Sequence, residues 1–339
     1  MSFQFTVLAV LPHYPANAPR FLVDAFEQVG YQVIRAGAKY FNHTGLNWPE
    51  EDLPKVDIVL PKETDWFIDD LIDQATRMGV APDMVFISEE NYKNSIINTE
   101  KIPSVLYSCD GWPENYNRAD AIKATINMTN HPLGIDDYPR EEIDPRWEYL
   151  PGAAAPWIHR DLKLERDYDF CMLASFYGRR KELSDALAKR GFKIWSGQAV
   201  IKTYVEAYNR SLVTFHNARR GEVKWRWWEA AAMGCVNISG LSKLFPQLGY
   251  KPWIHYYPID TPLENEWPTL DDLAGMIKHI KNAPEMQEDM ARAARRHTLL
   301  NHTYLHRVKQ IFNSLDMIYM ILKAEWAISR MWEEEGFNQ

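Results

Sequence analysis

Residues 224–239 read KWRWWEAAAMGCVNIS, and the reading of this stretch decides the fold. Helical spacing runs from Trp225 to a stop at Gly234, and CVNIS follows at once as a short β-rich apolar run. Just upstream, LVTFHNA (212–218) is another such run. A strand, a helix and a strand in under thirty residues make a βαβ unit, whose strands are parallel. Working outward, DYDFCMLAS (167–175) and FKIWSG (192–197) are strands around the helix RRKELSDALAKRG, which Gly191 closes. VEAYNRS is a short helix, and TLDDLAGMIKHIKNA a longer one.

The same alternation fills the first half. QFTVLAV (4–10), YQVIRA (31–36), VDIVLP (56–61), DMVFIS (83–88), KIPSVLYSCD (101–110) and WEYLPGA (147–153) read as strands. RFLVDAFEQVG and WFIDDLIDQATRMG are helices among them. The polar, proline-containing segment PWIHRDLKLERD (156–167) marks the seam. The expected architecture is therefore two Rossmann-like doubly wound parallel-sheet domains facing a cleft, residues 1–155 and 156–303. Residues 304–339 follow as a C-terminal segment whose long helix, over 304–333, returns to the first domain. Ligands of such sheets bind at the carboxyl ends of the strands.

The 339 residues suit two domains, and the 46% hydrophobic and 25% charged composition is that of a globular protein. No segment approaches the eighteen or so apolar residues of a membrane span. The N-terminus has no basic region ahead of its apolar run, and the three scattered cysteines, Cys109, Cys171 and Cys235, show no disulfide or metal spacing. A cytoplasmic protein is expected. The net charge of −8 is uneven: residues 1–155 carry 12 Lys and Arg against 24 Asp and Glu, and the remainder 26 against 22. An acidic half repels a nucleic-acid backbone, whereas a basic half suits an anionic ligand.

Arg226 and Glu229, three residues apart, share one helix face. Arginine binds diphosphate oxygens bidentately, and Glu229 is placed to accept hydrogen bonds from ribose hydroxyls. The alternative is an ordinary ion pair on a solvated helix. ASFYGRRKEL (174–183) is a loop entering a helix, whose free N–H groups hold phosphate oxygens. Arg179, Arg180 and Lys181 stand at that helix start, unfavourably unless an anion is near. Asp167-Tyr168-Asp169 has the D-x-D spacing of metal-dependent transferases but opens a strand instead of leaving one. Glu89 and Glu90 are weaker strand-end candidates. His302 and His306 lack the glutamate of a zinc helix, and P-loop and G-x-S-x-G patterns are absent. No metal site is expected.

The segments YDFCMLASFYGRRKELSDALAKRG, TYVEAYNRSLVTFHNA, RWWEAAAMGCVNIS and NHTYLHRVKQIF, in this order, resemble the CgeB-like (spore-maturation type) glycosyltransferases of the GT-B superfamily. PSVLYSCDGW and WEYLPGAAAP resemble the same family's acceptor-side domain. The resemblance implies a GT-B fold and a nucleotide-diphospho-sugar donor, a UDP-sugar foremost, bound by the second domain, with transfer that needs no metal or other cofactor. It places the family's R-x-x-E on Arg226 and Glu229, and its phosphate loop on Ser175 with Arg179 or Arg180. Ala174 stands where a glycine is common, and Trp227-Trp228 where one aromatic is usual. Asp110 matches a common acidic position. His13 lies where some inverting GT-B enzymes keep a general base. Arg219 and Arg220 add positive charge at a strand end. The acceptor is open among glycan, small molecule, protein and modified DNA, the last in the manner of phage-type enzymes acting on hydroxymethylated bases. A non-catalytic nucleotide-binding scaffold of the same fold is the reading from another class.

Overall fold

The computed structural model describes residues 4–40, 45–61, 65–88, 96–97, 102–109, 123–130, 147–174, 179–217, 223–259 and 267–337. The chain divides into two compact units, Met1–Pro151 with Tyr304–Gln339, and Gly152–Thr303.

In unit 1, β1 (Thr6–Val10), α1 (Ala18–Gln28), β2 (Gln32–Gly37), β3 (Ile58–Val59), β4 (Trp66–Phe67), α2 (Ile68–Arg77), β5 (Met84–Ser88), β6 (Ile96–Ile97), β7 (Ser104–Ser108), β8 (Ile126–Thr129) and β9 (Trp147–Tyr149) follow one another. Seven strands form one sheet in the order β3-β2-β1-β5-β7-β8-β9, with every pairing parallel. β4 and β6 pair separately. β1, β5 and β7 are buried along their whole length, so apolar residues occupy both faces and the runs read as continuous. α1 starts where the Asn17 side chain accepts a hydrogen bond from the Arg20 amide at 2.8 Å and Pro19 opens the first turn.

Unit 2 restarts the pattern with β10 (Tyr168–Leu173), α3 (Arg180–Lys189), β11 (Ile194–Gly197), α4 (Ile201–Asn209), β12 (Ser211–His216), α5 (Trp225–Ala232), β13 (Val236–Gly240), α6 (Leu244–Gln247), β14 (Tyr257–Ile259), α7 (Leu270–Lys281) and α8 (Pro284–Asn301). Its parallel sheet runs β11-β10-β12-β13-β14. In that order the winding reverses between β10 and β12. Ala230, Ala231 and Ala232 are fully buried, small residues that bring α5 close to its neighbours. The paired tryptophans are packing residues. Trp227 stacks on Phe245 with centroids 4.4 Å apart, and Trp228 is fully buried beside Gly152 and His302. Gly234, at φ +70°, ends the helix in a conformation that glycine adopts without strain.

The C-terminal helix expected over 304–333 returns to unit 1 but is broken once, into α9 (Tyr304–Ser314) and α10 (Ile318–Glu334). Asp316 takes a left-handed φ of +56°, which a short polar side chain tolerates. α10 then folds back along α9, joined by the Lys309–Glu325 ion pair at 2.7 Å and the His306–Trp332 ring contact. Phe312 of α9 packs edge-on against Phe5, Phe26 and Tyr31, and Arg307 Nε donates to the Pro151 carbonyl at 2.9 Å.

Gly152 has no room for a side chain. A Cβ there lies 2.5 Å from the Trp228 ring, itself locked in the core. Gly152→Ala is expected to cost about 1–3 kcal/mol, a drop of several degrees in thermal midpoint. Calorimetry checks this, and an unchanged midpoint means that the indole moves aside freely.

Candidate functional site

The winding reversal of unit 2 puts a ligand position at the carboxyl ends of β10 and β12. A recess of about 370 Å³ opens there. Its walls are Met172–Ala174 at the end of β10, Thr214–Asn217 at the end of β12, Tyr208 of α4, Arg180 at the start of α3, Lys224 and Arg226 at the start of α5, and Trp267. The described lining thus holds three cations and no carboxylate. α3 and α5 both begin at the recess, and their unbonded amides add partial positive charge. Cations beside two helix N-termini repel one another and the helix dipoles, and a bound anion relieves that repulsion.

Two uncharged polar groups complete the lining. The Tyr208 hydroxyl and His216 Nε2 are buried, and neither has a hydrogen-bond partner among the described residues. Burial pushes the His216 pKa down to about 3; Arg226 lowers it further, while Asn237 alongside opposes the shift. His216 is therefore a neutral imidazole at any ordinary pH.

Behind the lining lies Glu229, with 6% of its surface exposed. This excludes the solvated ion pair. Its Oε2 accepts a hydrogen bond from the Tyr204 hydroxyl. Its Oε1 stands 3.8 Å from His159 Nε2. That pair is not a salt bridge, because burial pushes the His159 pKa down to about 3 and 3.8 Å exceeds hydrogen-bond reach. Burial raises the Glu229 pKa to about 7, against the opposing effects of the Tyr204 hydrogen bond and Arg226.

The structure separates the residues that the sequence grouped. Arg226 and Arg180 come together at the recess, whereas Arg179 points outward and pairs with Glu182 at 3.4 Å. Glu229 is one turn along α5 from Arg226 but is not part of the recess wall. Ser175, Arg219, Arg220, Asp110, Glu89 and Glu90 lie outside the described residues. His13 is 2% exposed, with Nε2 3.3 Å from the Ala36 carbonyl of β2, and burial lowers its pKa to about 4. The D-x-D aspartates sit at the amino end of β10, away from the ligand end. Asp167 binds Arg210, and Asp169 binds Lys281 and accepts from the Lys193 amide. His302 is committed to the Leu248 carbonyl at 2.8 Å. No group of three or more His, Cys, Asp or Glu side chains among the described residues is placed to hold a metal ion.

Sequence reasoning missed His216, Lys224 and Tyr208. His216 had a signal, as a polar residue ending the apolar run LVTFH. Lys224 had another, two residues before Arg226. Tyr208 had none, since an aromatic at helical spacing reads as core.

Residues 179–313 match the family described as glycosyl transferase-like. No curated protein matches the chain in sequence. Among solved structures, a glycosyltransferase from Rickettsia africae superposes with a TM-score of 0.59 at 11% identity, covering 94% of this chain and 99% of its own. Anabaena HepE in complex with UDP gives 0.60 at 11% identity, over 93% and 100%. An α-glucosyltransferase in complex with UDP-glucose and DNA containing an abasic site gives 0.56 at 10% identity, over 91% and 98%. No described helix is long and apolar enough to cross a membrane. The chain has the GT-B fold of glycosyltransferases, and its second unit carries most of a glycosyl transferase-like domain.

Proposed function

We propose that the protein transfers a sugar from a nucleoside-diphospho-sugar, a UDP-sugar foremost, to a hydroxyl acceptor, without a divalent metal. The carrying observation is the recess at the β10/β12 switch, where Arg180, Lys224 and Arg226 gather at two helix starts. These residues bind the donor diphosphate. The acceptor oxygen attacks the anomeric carbon, the bond from that carbon to the distal phosphate oxygen breaks, and the pair of electrons leaves with the nucleoside diphosphate. Arg180 and Arg226 stabilise the charge that builds on those oxygens. Glu229 takes the ribose, and Ser175 and Arg220 add contacts at the phosphates.

The acceptor proton needs a base. His13, buried with one nitrogen held by Ala36, is a weak base with its lowered pKa. We therefore assign it to structure and keep Asp110, following β7, as the candidate base. The excess of 24 acidic over 12 basic residues in 1–155 favours an uncharged acceptor over DNA.

UDP at a hundred times its dissociation constant is expected to stabilise the protein by about 2.7 kcal/mol, equally with magnesium and with EDTA. No shift in a thermal melt with any nucleoside diphosphate would sink the donor reading, and a shift requiring magnesium would sink its metal-free form. Arg226→Ala is expected to weaken UDP by about tenfold or more while its melting without nucleotide stays near wild type. Calorimetric titration checks this, and an unfolded variant identifies Arg226 as a packing residue instead.

A further inference from the structure

We propose that Tyr204 is a positioning residue for the donor, fixing the Glu229 carboxylate through Oε2 and so leaving Oε1, 3.8 Å from the neutral His159 ring and beyond hydrogen-bond reach of it, for the ribose. This rests on the donor reading above and names a residue that the reading does not include. Tyr204 and Tyr208 are four residues apart on α4, so both hydroxyls leave the same helix face. Their rings pack at 4.8 Å. The two hydroxyls nevertheless differ. Tyr208 lines the recess and its hydroxyl has no hydrogen-bond partner among the described residues, while Tyr204 donates to Glu229 Oε2. One carboxylate oxygen is thereby fixed, and with it the plane of the group.

The surroundings of Glu229 show why a hydroxyl is needed there. His159 faces Oε1 as a neutral ring, its Nδ1 accepting from the Ala155 amide at 3.0 Å. Arg226, on the same helix, and the neutral Tyr208 are its other polar neighbours. Among these groups Tyr204 supplies the hydrogen bond that favours the charged carboxylate, ahead of the charge of Arg226. Only the ionised form is a pure acceptor for ribose hydroxyls. Without the Tyr204 hydroxyl the carboxylate loses its orientation and a share of its charge at neutral pH. Phenylalanine at 204 preserves the ring and its packing against Tyr208 and His159.

The test compares UDP with 2′,3′-dideoxy-UDP by calorimetric titration from pH 6 to 9, using the full chain. Wild type is expected to prefer UDP by about tenfold or more above pH 7, the worth of a hydrogen bond to a charged group. That preference should fade as pH drops through the Glu229 pKa of about 7 and the carboxylate takes up a proton. Tyr204→Phe should cut the preference at pH 7 to below about threefold, leave the dideoxy affinity unchanged, and move the pH midpoint upward so that alkaline buffer restores discrimination. A variant with the wild-type preference and midpoint, or one that loses both nucleotides equally, overturns the positioning role. Glu229→Gln separates the two levels. If it still discriminates ribose, or if wild type never does, the ribose reading falls and takes this proposal with it.

Discussion

Keeping a carboxylate out of water is the constraint that the rest of unit 2 answers to. An ionised carboxyl group buried without partners costs several kcal/mol, yet Glu229 is 6% exposed. Its partner comes from another element, Tyr204 of α4. The bond forms only if α4 and α5 lie close, and closeness is a matter of bulk. Ala230, Ala231 and Ala232 bring α5 in, while the large Trp228 is accommodated because Gly152 has no side chain to oppose it. Aromatic stacking of Trp227 on Phe245 and its edge contact with Tyr256 fix the rotation of the helix about its own axis. This rotation sends Glu229 inward while Arg226, one turn earlier, reaches the recess.

The same helix therefore carries two opposite electrostatic environments within one turn. At its start a guanidinium, a lysine and the helix dipole sum to a positive wall; further along, burial raises the pKa of a carboxyl group to about 7. His216 and Tyr208 line the same recess as neutral groups and add no charge to the wall. On the donor reading, the diphosphate meets the positive wall and the uncharged ribose lies toward Glu229, in the order of these two environments.

Much of this was legible in the sequence. Strand runs such as TVLAV and YDFCML are apolar without alternation because parallel strands are buried on both faces, and the glycines at 191 and 234 end helices where expected. Arg226 and Glu229 were visible as a pair. Their division of labour was not, because i,i+3 spacing gives a shared face without saying how wide the buried stripe is. The break at Asp316 escaped notice since aspartate also suits a helix surface, and its left-handed backbone depends on α10 finding α9. His13 follows the first strand, and nothing in its sequence neighbourhood announces burial. Backbone pairing with Lys39 and Tyr40 carries that loop along β2 and buries the ring.

Charge placement also bears on the metal. A divalent ion bridging a diphosphate needs carboxylates or other oxygens directed at it. Among the described residues no carboxylate lines the recess, and Glu229, behind it, gives one oxygen to Tyr204 and is about half ionised at pH 7. The D-x-D aspartates are at the other end of β10, saturated by Arg210, Lys281 and a backbone amide. The described wall instead presents Arg180, Lys224 and Arg226. Guanidinium groups also offer directional hydrogen bonds along the diphosphate edge. On the proposed donor reading, leaving-group stabilisation falls to side-chain cations at the starts of two helices.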